Sequence, residues 1–150
     1  MASSKQVSVL VIDDNDHSRR LLKEILDSAG MSVRDTSDPH HALSVLGTAQ
    51  IDLVVTDYEM KPISGIQLTQ RIRTHPRPSV RRCGVLMVTA YADRKHVTEA
   101  ARAGIDGLIG KPFTAGTVLE RTMNVLERAA ARNVDAGQKD EDRRYVGLDD

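Results

Sequence analysis

Five side chains in this sequence are suited to binding a metal ion and a phosphoryl group: Asp13, Asp14, Asp57, Thr89 and Lys111. Two carboxylates about 4 Å apart repel by about 4 kcal/mol at an effective dielectric constant near 20, so three carboxylates at one site need a compensating cation. Hard oxygen ligands of this kind suit Mg²⁺. A lysine can pair with one phosphoryl oxygen, and a threonine hydroxyl can donate to another. If the five residues meet, they form a site for phosphoryl chemistry.

Short apolar segments precede these residues and predict the strands that position them. Continuous apolar runs of this length are typical of parallel strands buried on both faces. The predicted strands cover residues 7–12, 31–36, 52–56, 84–88 and 107–109. Apolar residues at helical spacing lie between and after the strands, and predict helices that begin near residues 16, 38, 64, 93 and 114. We expect the last helix to end near Asn133.

The alternation of strands and helices predicts an α/β fold. Elements of these lengths require a parallel sheet with right-handed crossovers and helices on both faces, which is a three-layer sandwich. Sites in such sheets lie at the carboxyl ends of the strands, where the strand order reverses. An acid at one strand end is often only a helix cap or a loop residue. Five reactive residues at the same edge favour a functional site.

The composition limits the classes of function. The chain has 150 residues, 40% of them apolar, and its 21 basic residues equal its 21 acidic ones. No overall positive charge therefore favours nucleic acid or an anionic membrane, and the scarcity of aromatic residues disfavours base stacking. The first apolar run is too short for a signal peptide or a membrane span, so we expect a cytoplasmic protein. The single cysteine, Cys83, is interpreted as a buried structural thiol.

Domain boundaries follow from a change in composition near the end of the chain. Residues 5–134 are predicted to form one domain, and residues 135–150 a polar, disordered tail. A partner-docking peptide, or a strap against the domain, is the alternative for the tail. Sixteen residues cannot form a helix-turn-helix output domain, so we expect no direct DNA binding.

The order of the motifs resembles the receiver domain of two-component response regulators. The resemblance covers about residues 5 to 130, and each motif follows a separate strand. The matching residues are Asp13-Asp14, Asp57, Thr89 and Lys111-Pro112-Phe113. It implies a stand-alone, chemotaxis-type regulator with a flavodoxin-like, five-stranded parallel sheet of order 2-1-3-4-5.

The resemblance also implies a role for each site residue. Asp57 would be the phosphoacceptor, and Asp14, Asp57 and the backbone carbonyl of Glu59 would ligate Mg²⁺, with Asp13 reaching the ion through water. Thr89 and Lys111 would bind the phosphoryl oxygens. The Lys111–Pro112 peptide bond would be cis, as X-Pro bonds can be.

Partners follow from the same resemblance. The phosphoryl donor would be a sensor histidine kinase or a histidine phosphotransfer protein, and the output would be contact with an unidentified downstream protein. The chain would catalyse only its own phosphoryl transfer and autodephosphorylation, so it is not expected to be an enzyme for another substrate. No membrane contact is expected, and a homodimer is an open alternative.

Two positions depart from the family pattern. Receivers typically carry an aromatic residue on the last strand, where this sequence has Leu108. Tyr91 is a candidate to take over the role of that aromatic residue in transmitting the signal, to cover the site, or to be an ordinary loop residue.

The loop after Asp57 has Lys61 before Pro62, where the family usually has Pro directly after Met. Glu59 and Tyr91 occupy positions expected to control the access of water to the phosphorylated residue.

Other interpretations remain open from the sequence. Asp14-Asn15-Asp16 also resembles the start of haloacid-dehalogenase-type phosphatases, which would make Asp14 the nucleophile. A degenerate receiver that acts as a constitutive binding module is a further alternative.

The five histidines show no zinc-binding spacing and are interpreted as surface residues. The basic segment 76–82 is interpreted as a solvated loop, with anion contact as its alternative.

Overall fold

A computed structural model of the chain describes residues 6–146, and the side chains of residues 6–136. The strands are β1 (Ser8–Ile12), β2 (Ser32–Thr36), β3 (Leu53–Asp57), β4 (Gly84–Thr89) and β5 (Gly107–Gly110). The helices are α1 (Asp16–Ser28), α2 (Pro39–Thr48), α3 (Gly65–Arg73), α4 (Pro78–Arg81), α5 (Arg94–Ala103) and α6 (Ala115–Val146). Within the described range, none of these helices combines the length and apolar character needed to cross a membrane.

The sheet has five parallel strands in the order β2-β1-β3-β4-β5, which confirms the predicted fold class. The chain begins in β1, moves outward to β2, and then returns across β1 to β3. The strand order therefore reverses between β1 and β3. Their carboxyl ends form the crevice in which parallel sheets usually carry their sites.

Helices cover both faces of the sheet, which explains why the strands are continuously apolar. Side chains alternate along β1, so that Val9 and Val11 pack with α1 and α6 on one face. Leu10 and Ile12 pack with α2 and α3 on the other face. Every residue of β3 and β4 is buried. The edge strand β2 is more exposed and carries Arg34 and Asp35, which is typical of protected sheet edges.

Side-chain caps fix where the helices begin. Asp38 caps α2 by accepting from the His40 backbone N–H, and Asp93 caps α5 by accepting from the His96 backbone N–H, as predicted. Ser64 caps α3 in a reciprocal pair with Gln67. These caps start α3 and α5 directly after the loops that follow β3 and β4.

Two parts of the structure differ from the predictions. The segment 76–82 contains the short helix α4 rather than only a solvated loop, and the side chains of Arg77 and Arg81 donate to backbone carbonyls. Arg77 donates to the Gly47 carbonyl at 2.6 Å, at the end of α2, so it holds two elements together.

The last helix continues to Val146, so its predicted end near Asn133 was wrong. Residues 134–146 contain no proline, and their polarity does not oppose a helix; the good helix formers among them are Ala136, Gln138, Lys139, Glu141, Arg143 and Arg144. Residues 147–150 of the predicted tail lie outside the described residues.

A network of charged side chains lies at the end of the sheet opposite to the crevice. The Asp106 side chain is 2% exposed and lies 2.8 Å from Arg73 of α3 and 2.7 Å from Arg132 of α6. It also accepts the Val85 backbone N–H of β4 at 3.0 Å. Burial raises the pKa of Asp106, but these hydrogen bonds and the two arginine charges outweigh it and hold the pKa below its ordinary value. Asp106 therefore connects α3, β4 and α6.

Candidate functional site

The predicted acidic residues meet at the carboxyl ends of β1 and β3. Ile12 of β1 pairs with Thr56 of β3. The residues that follow them, Asp13 and Asp57, therefore lie side by side. Carboxylate oxygens of Asp13, Asp14 and Asp57 all lie within 4.8 Å of one another. The chain thus brings three negative charges into one small volume.

Burial distinguishes the three carboxylates. Asp13 is fully buried and Asp57 is 7% exposed, whereas Asp14 is exposed. Lys111, directly after β5, places its Nζ 3.3 Å from Asp13 Oδ2 and 3.3 Å from Asp57 Oδ1. Lys111 therefore forms an ion pair with each of the two buried acids. The arrangement leaves Asp57, rather than Asp14, as the buried carboxylate that faces both a cation and the crevice.

The pKa of Asp57 reports how its charge is balanced. Burial, and then the negative charge of Asp13, raises the pKa of Asp57 from 3.8 to about 6, although Lys111 and the Tyr58 backbone N–H act in the opposite direction. A single lysine does not fully compensate the cluster. An additional cation at this edge would favour the ionised form of Asp57.

The donor set fits a hard divalent cation. Carboxylate oxygens are the ligands that Mg²⁺ prefers, and an exposed acid next to two buried ones leaves coordination positions open to water. Among the described residues, these three acids form the one group of metal-ligating side chains close enough to share an ion. The five histidines contribute no such group in that range.

Local contacts hold Asp13 and Lys111 in place. The Asn15 backbone N–H donates to Asp13 Oδ1 at 2.9 Å, and Arg19 Nη1 donates to the Asp13 carbonyl at 3.0 Å. The Lys111 backbone N–H donates to the Thr89 carbonyl at 2.7 Å, which joins the ends of β4 and β5. The Lys111–Pro112 bond is cis, as predicted, and Lys61–Pro62 is a second cis bond that was not predicted.

Thr89 lies at the predicted strand end, but its hydroxyl is engaged elsewhere. The side chain is fully buried. Its Oγ1 accepts from the Tyr91 backbone N–H at 2.9 Å and donates to the Tyr91 carbonyl at 3.3 Å. The hydroxyl therefore closes a small turn after β4 in this structure.

The loop between β3 and α3 is packed tightly against Asp57. The Gly65 backbone N–H donates to the Tyr58 carbonyl at 2.8 Å. A Cβ atom at position 65 would overlap the backbone carbonyl oxygen of Asp57. Glycine is required here because the start of α3 approaches the strand end so closely. This role of Gly65 is not predicted by the local sequence.

A cleft of about 560 Å³ opens above Asp57. Its lining includes Asp14, Asp57, Lys111, Glu59 and Tyr91. Glu59 is exposed and Tyr91 is 45% exposed, so both lie where they can affect access.

The predicted readout position lies apart from this cleft. Leu108 is half-buried within β5, where it pairs with Met87, and it is absent from the described lining. The carbonyl of Leu108 accepts from Arg121 of α6. Cys83 is also remote, and burial raises the pKa of its thiol to about 11, which agrees with a structural role.

The sequence is similar to known proteins over most of the chain, including the residues of the cleft. The family described as "Response regulator receiver domain" matches residues 9–123, which contain all the site residues discussed above. Chemotaxis protein CheY-3 of Vibrio cholerae serotype O1 is 37% identical over 126 residues, which are 83% of this chain and 95% of that protein. Chemotaxis protein CheY of Pseudomonas aeruginosa is 36% identical over 123 residues, which are 81% of this chain and 98% of that protein.

Comparisons of structure agree with those of sequence. The chemotaxis response regulator CheY4 of Vibrio cholerae superimposes with a TM-score of 0.76 at 25% identity, covering 81% of this chain and 99% of that chain. A response regulator from Thermotoga maritima gives a TM-score of 0.72 at 26% identity, covering 82% of this chain and 99% of that chain. The match therefore extends to nearly the whole of each relative.

Proposed function

Because the chain belongs to the receiver-domain family of response regulators, we propose that it is a signalling switch in which Asp57 accepts a phosphoryl group. The observation that carries the proposal is the position of Asp57. It is a nearly buried carboxylate at the base of a cleft, 3.3 Å from the one lysine that follows β5. A carboxylate in this position can act as a nucleophile toward phosphorus.

The transfer reaction exchanges one bond to phosphorus for another. A carboxylate oxygen of Asp57 attacks the phosphorus of a phosphohistidine on a kinase or phosphotransfer partner, and a phosphorus–oxygen bond forms. The phosphorus–nitrogen bond breaks, and the imidazole leaves as the neutral ring after taking up a proton. Lys111 pairs with a phosphoryl oxygen and so offsets the charge that arrives at the site.

We propose Mg²⁺ as the cation that completes the site. Asp14, Asp57 and the backbone carbonyl of Glu59 would hold it, and Asp13 would reach it through water. A bound Mg²⁺ supplies charge neutralisation and orientation of the phosphoryl group. The raised pKa of Asp57 supports this assignment, because the acids present exceed the positive charge beside them.

Thr89 links phosphorylation to the turn that contains Tyr91. A hydroxyl has one proton to donate, and the Thr89 proton is directed to the Tyr91 carbonyl. Donating to a phosphoryl oxygen instead requires that bond to break. We propose that the signal passes through this turn, because Leu108 supplies no aromatic side chain for the usual family readout. The output is contact with a downstream protein.

Glu59 and Tyr91 are proposed to set the lifetime of the phosphorylated form. Both line the cleft and both are exposed at its rim. Hydrolysis requires a water molecule to approach phosphorus opposite to Asp57, so side chains at the rim control that approach. Replacing both residues with alanine should change the rate of autodephosphorylation, and an unchanged rate would contradict this assignment.

Treatment with acetyl phosphate and Mg²⁺ tests the proposed function. Wild type should take up close to one acid-labile phosphate per chain, and chelation of Mg²⁺ should abolish the uptake. Asp57→Asn should take up none, whereas Glu24→Gln, which changes an exposed acid of α1, should behave as wild type. If Asp57→Asn were phosphorylated as fully as wild type, the proposal would be wrong. Mg²⁺ binding without any uptake would instead indicate a constitutive binding module.

A further inference from the structure

Three aromatic rings stack beside the cleft, and His96 is the central one. The imidazole of His96 on α5 lies nearly parallel to the Tyr91 ring, with centroids 5.3 Å apart and planes inclined by 24°. Tyr58 meets the other side of the imidazole edge-on, with centroids 5.2 Å apart and an angle of 67°. His96 is half-buried between the two rings, whereas its sequence context predicts a surface residue. Offset and edge-on pairs of this kind are attractive.

Hydrogen bonds anchor the stack at both ends. His96 Nδ1 lies 2.6 Å from Asp93 Oδ1, the residue that caps α5. The Tyr58 hydroxyl donates to Glu99 Oε2 at 2.7 Å. Burial, and then this hydrogen bond, raises the pKa of Tyr58 to about 12, so the hydroxyl stays protonated. The stack is therefore fixed to the first turns of α5.

Both neighbours of His96 are directly connected to the phosphorylation site. Tyr58 follows Asp57 in the chain, and its backbone N–H continues the sheet by donating to the Val88 carbonyl at 2.9 Å. Tyr91 lines the cleft, and its backbone N–H and carbonyl both bind the Thr89 hydroxyl. Tyr91 is 45% exposed, and its ring stacks on the His96 imidazole.

We propose that His96 is a positioning residue that holds the Tyr91 ring at the rim of the cleft and thereby slows hydrolysis of phosphorylated Asp57. This proposal rests on the proposed function. Hydrolysis forms a bond from water oxygen to phosphorus, breaks the bond to the Asp57 oxygen, and releases phosphate, a proton and the carboxylate. A Tyr91 ring without its stacking partner can leave the rim, and water then reaches phosphorus more often.

A double-mutant cycle on the rate of dephosphorylation tests the role of His96. After acetyl phosphate is removed, His96→Ala should lose its acid-labile phosphate about two- to tenfold faster than wild type, the range that loss of one aromatic pair supports. His96→Phe keeps a ring in the stack and should stay close to wild type. His96→Ala should have no further effect in a Tyr91→Ala background. His41→Ala, an exposed histidine of α2, is the matched control.

Each outcome separates this proposal from the proposed function. If wild type is labelled but His96→Ala decays at the wild-type rate, or if the effects of the two alanine variants multiply, the positioning role is wrong. If His96→Phe decays as fast as His96→Ala, a contact other than the ring is responsible and the proposal also fails. Absence of label in wild type would overturn the proposed function as well. Ring-current shifts of the His96 protons, compared between wild type and Tyr91→Ala, verify that the stack exists in a folded protein.

Discussion

Asp57 combines two properties that oppose each other: it is buried, and its proposed role as phosphoacceptor requires the ionised carboxylate. Burial and the adjacent Asp13 favour the protonated form, while Lys111 favours the charged one, and the result is a pKa raised to about 6. Such shifts are common where carboxylates share a site. Ionisation of Asp57 therefore costs free energy, and a divalent cation at this site would relieve the repulsion.

The raised pKa predicts how stability depends on pH without divalent cations. The folded chain binds a proton to Asp57 more tightly than the unfolded chain, so ionisation of Asp57 costs stability above pH 6, and this cost disappears as the pH falls toward 4. Asp57→Asn lacks the cost. In EDTA, its free energy of unfolding relative to wild type should therefore rise between pH 4 and pH 8, by up to about 3 kcal/mol. Urea unfolding at several pH values measures this difference.

The control for that measurement is Glu24→Gln, which removes one exposed negative charge from α1. A difference between Asp57→Asn and wild type that stayed constant from pH 4 to pH 8 would contradict the account of the Asp57 environment.

The loop between β3 and α3 determines where Asp57 lies, and Gly65 is its tightest point. A methyl group at position 65 has no space, because the Asp57 carbonyl oxygen and the Tyr58 Cα lie against it. The strand end, the loop and α3 must therefore move together if this residue changes.

Substitution of glycine by alanine at two helical positions tests this point. Gly65→Ala should lower the free energy of unfolding by about 1–3 kcal/mol, as expected for overpacking, and should also slow phosphorylation of Asp57. Gly47→Ala is the matched control, since a Cβ at position 47 meets nothing within 4 Å. It should stabilise α2 by about 0.5–1 kcal/mol. If Gly65→Ala left both stability and phosphorylation unchanged, the loop would not constrain the site.

The elements could be predicted from the sequence where local pattern determines structure. Apolar runs identified all five strands, and Asp38 and Asp93 identified two helix starts, because these signals lie within a few residues of the element they define. The convergence of Asp13, Asp57 and Lys111 followed from topology alone, since every parallel strand ends at the same edge. Their proximity needed no knowledge of side-chain packing.

Other features depend on contacts between residues far apart in the chain, and the sequence did not reveal them. Arg73 and Asp106 pair across 33 residues, and no local pattern relates them. The stack of Tyr58, His96 and Tyr91 likewise forms only when two loops and α5 have packed. The orientation of the Thr89 hydroxyl depends on the turn that follows β4, which has no distinct sequence pattern.

Helix α6 connects the two ends of the sheet, where the strands begin and where they finish. It begins near Lys111 at the cleft and reaches Asp106, which precedes β5, through Arg132. Arg132 also donates to the carbonyls of Arg82 and Cys83. We propose that residues 5–134 form the stable domain, because they include these contacts.

Truncation tests this domain boundary. A chain that ends after Val134 should keep the free energy of unfolding within about 1 kcal/mol of the full chain, because it retains Arg132 and Asp106. Arg132→Ala in the full chain should cost about 2–3 kcal/mol, because Asp106 and two carbonyls lose a charged donor. Urea unfolding measures both variants. A large loss on truncation after Val134, with a small loss for Arg132→Ala, would place the boundary later in the chain.

Chemical trapping identifies the residue that accepts the phosphoryl group. Borohydride reduces an acyl phosphate to an alcohol, so a protein treated with acetyl phosphate and Mg²⁺ and then reduced carries a permanent mark at the phosphorylated residue. Peptide mass spectrometry should find the aspartate-to-homoserine change at Asp57, and at neither Asp13 nor Asp14. Reduction at Asp14 with Asp57 intact would contradict the account and favour a phosphatase-type nucleophile.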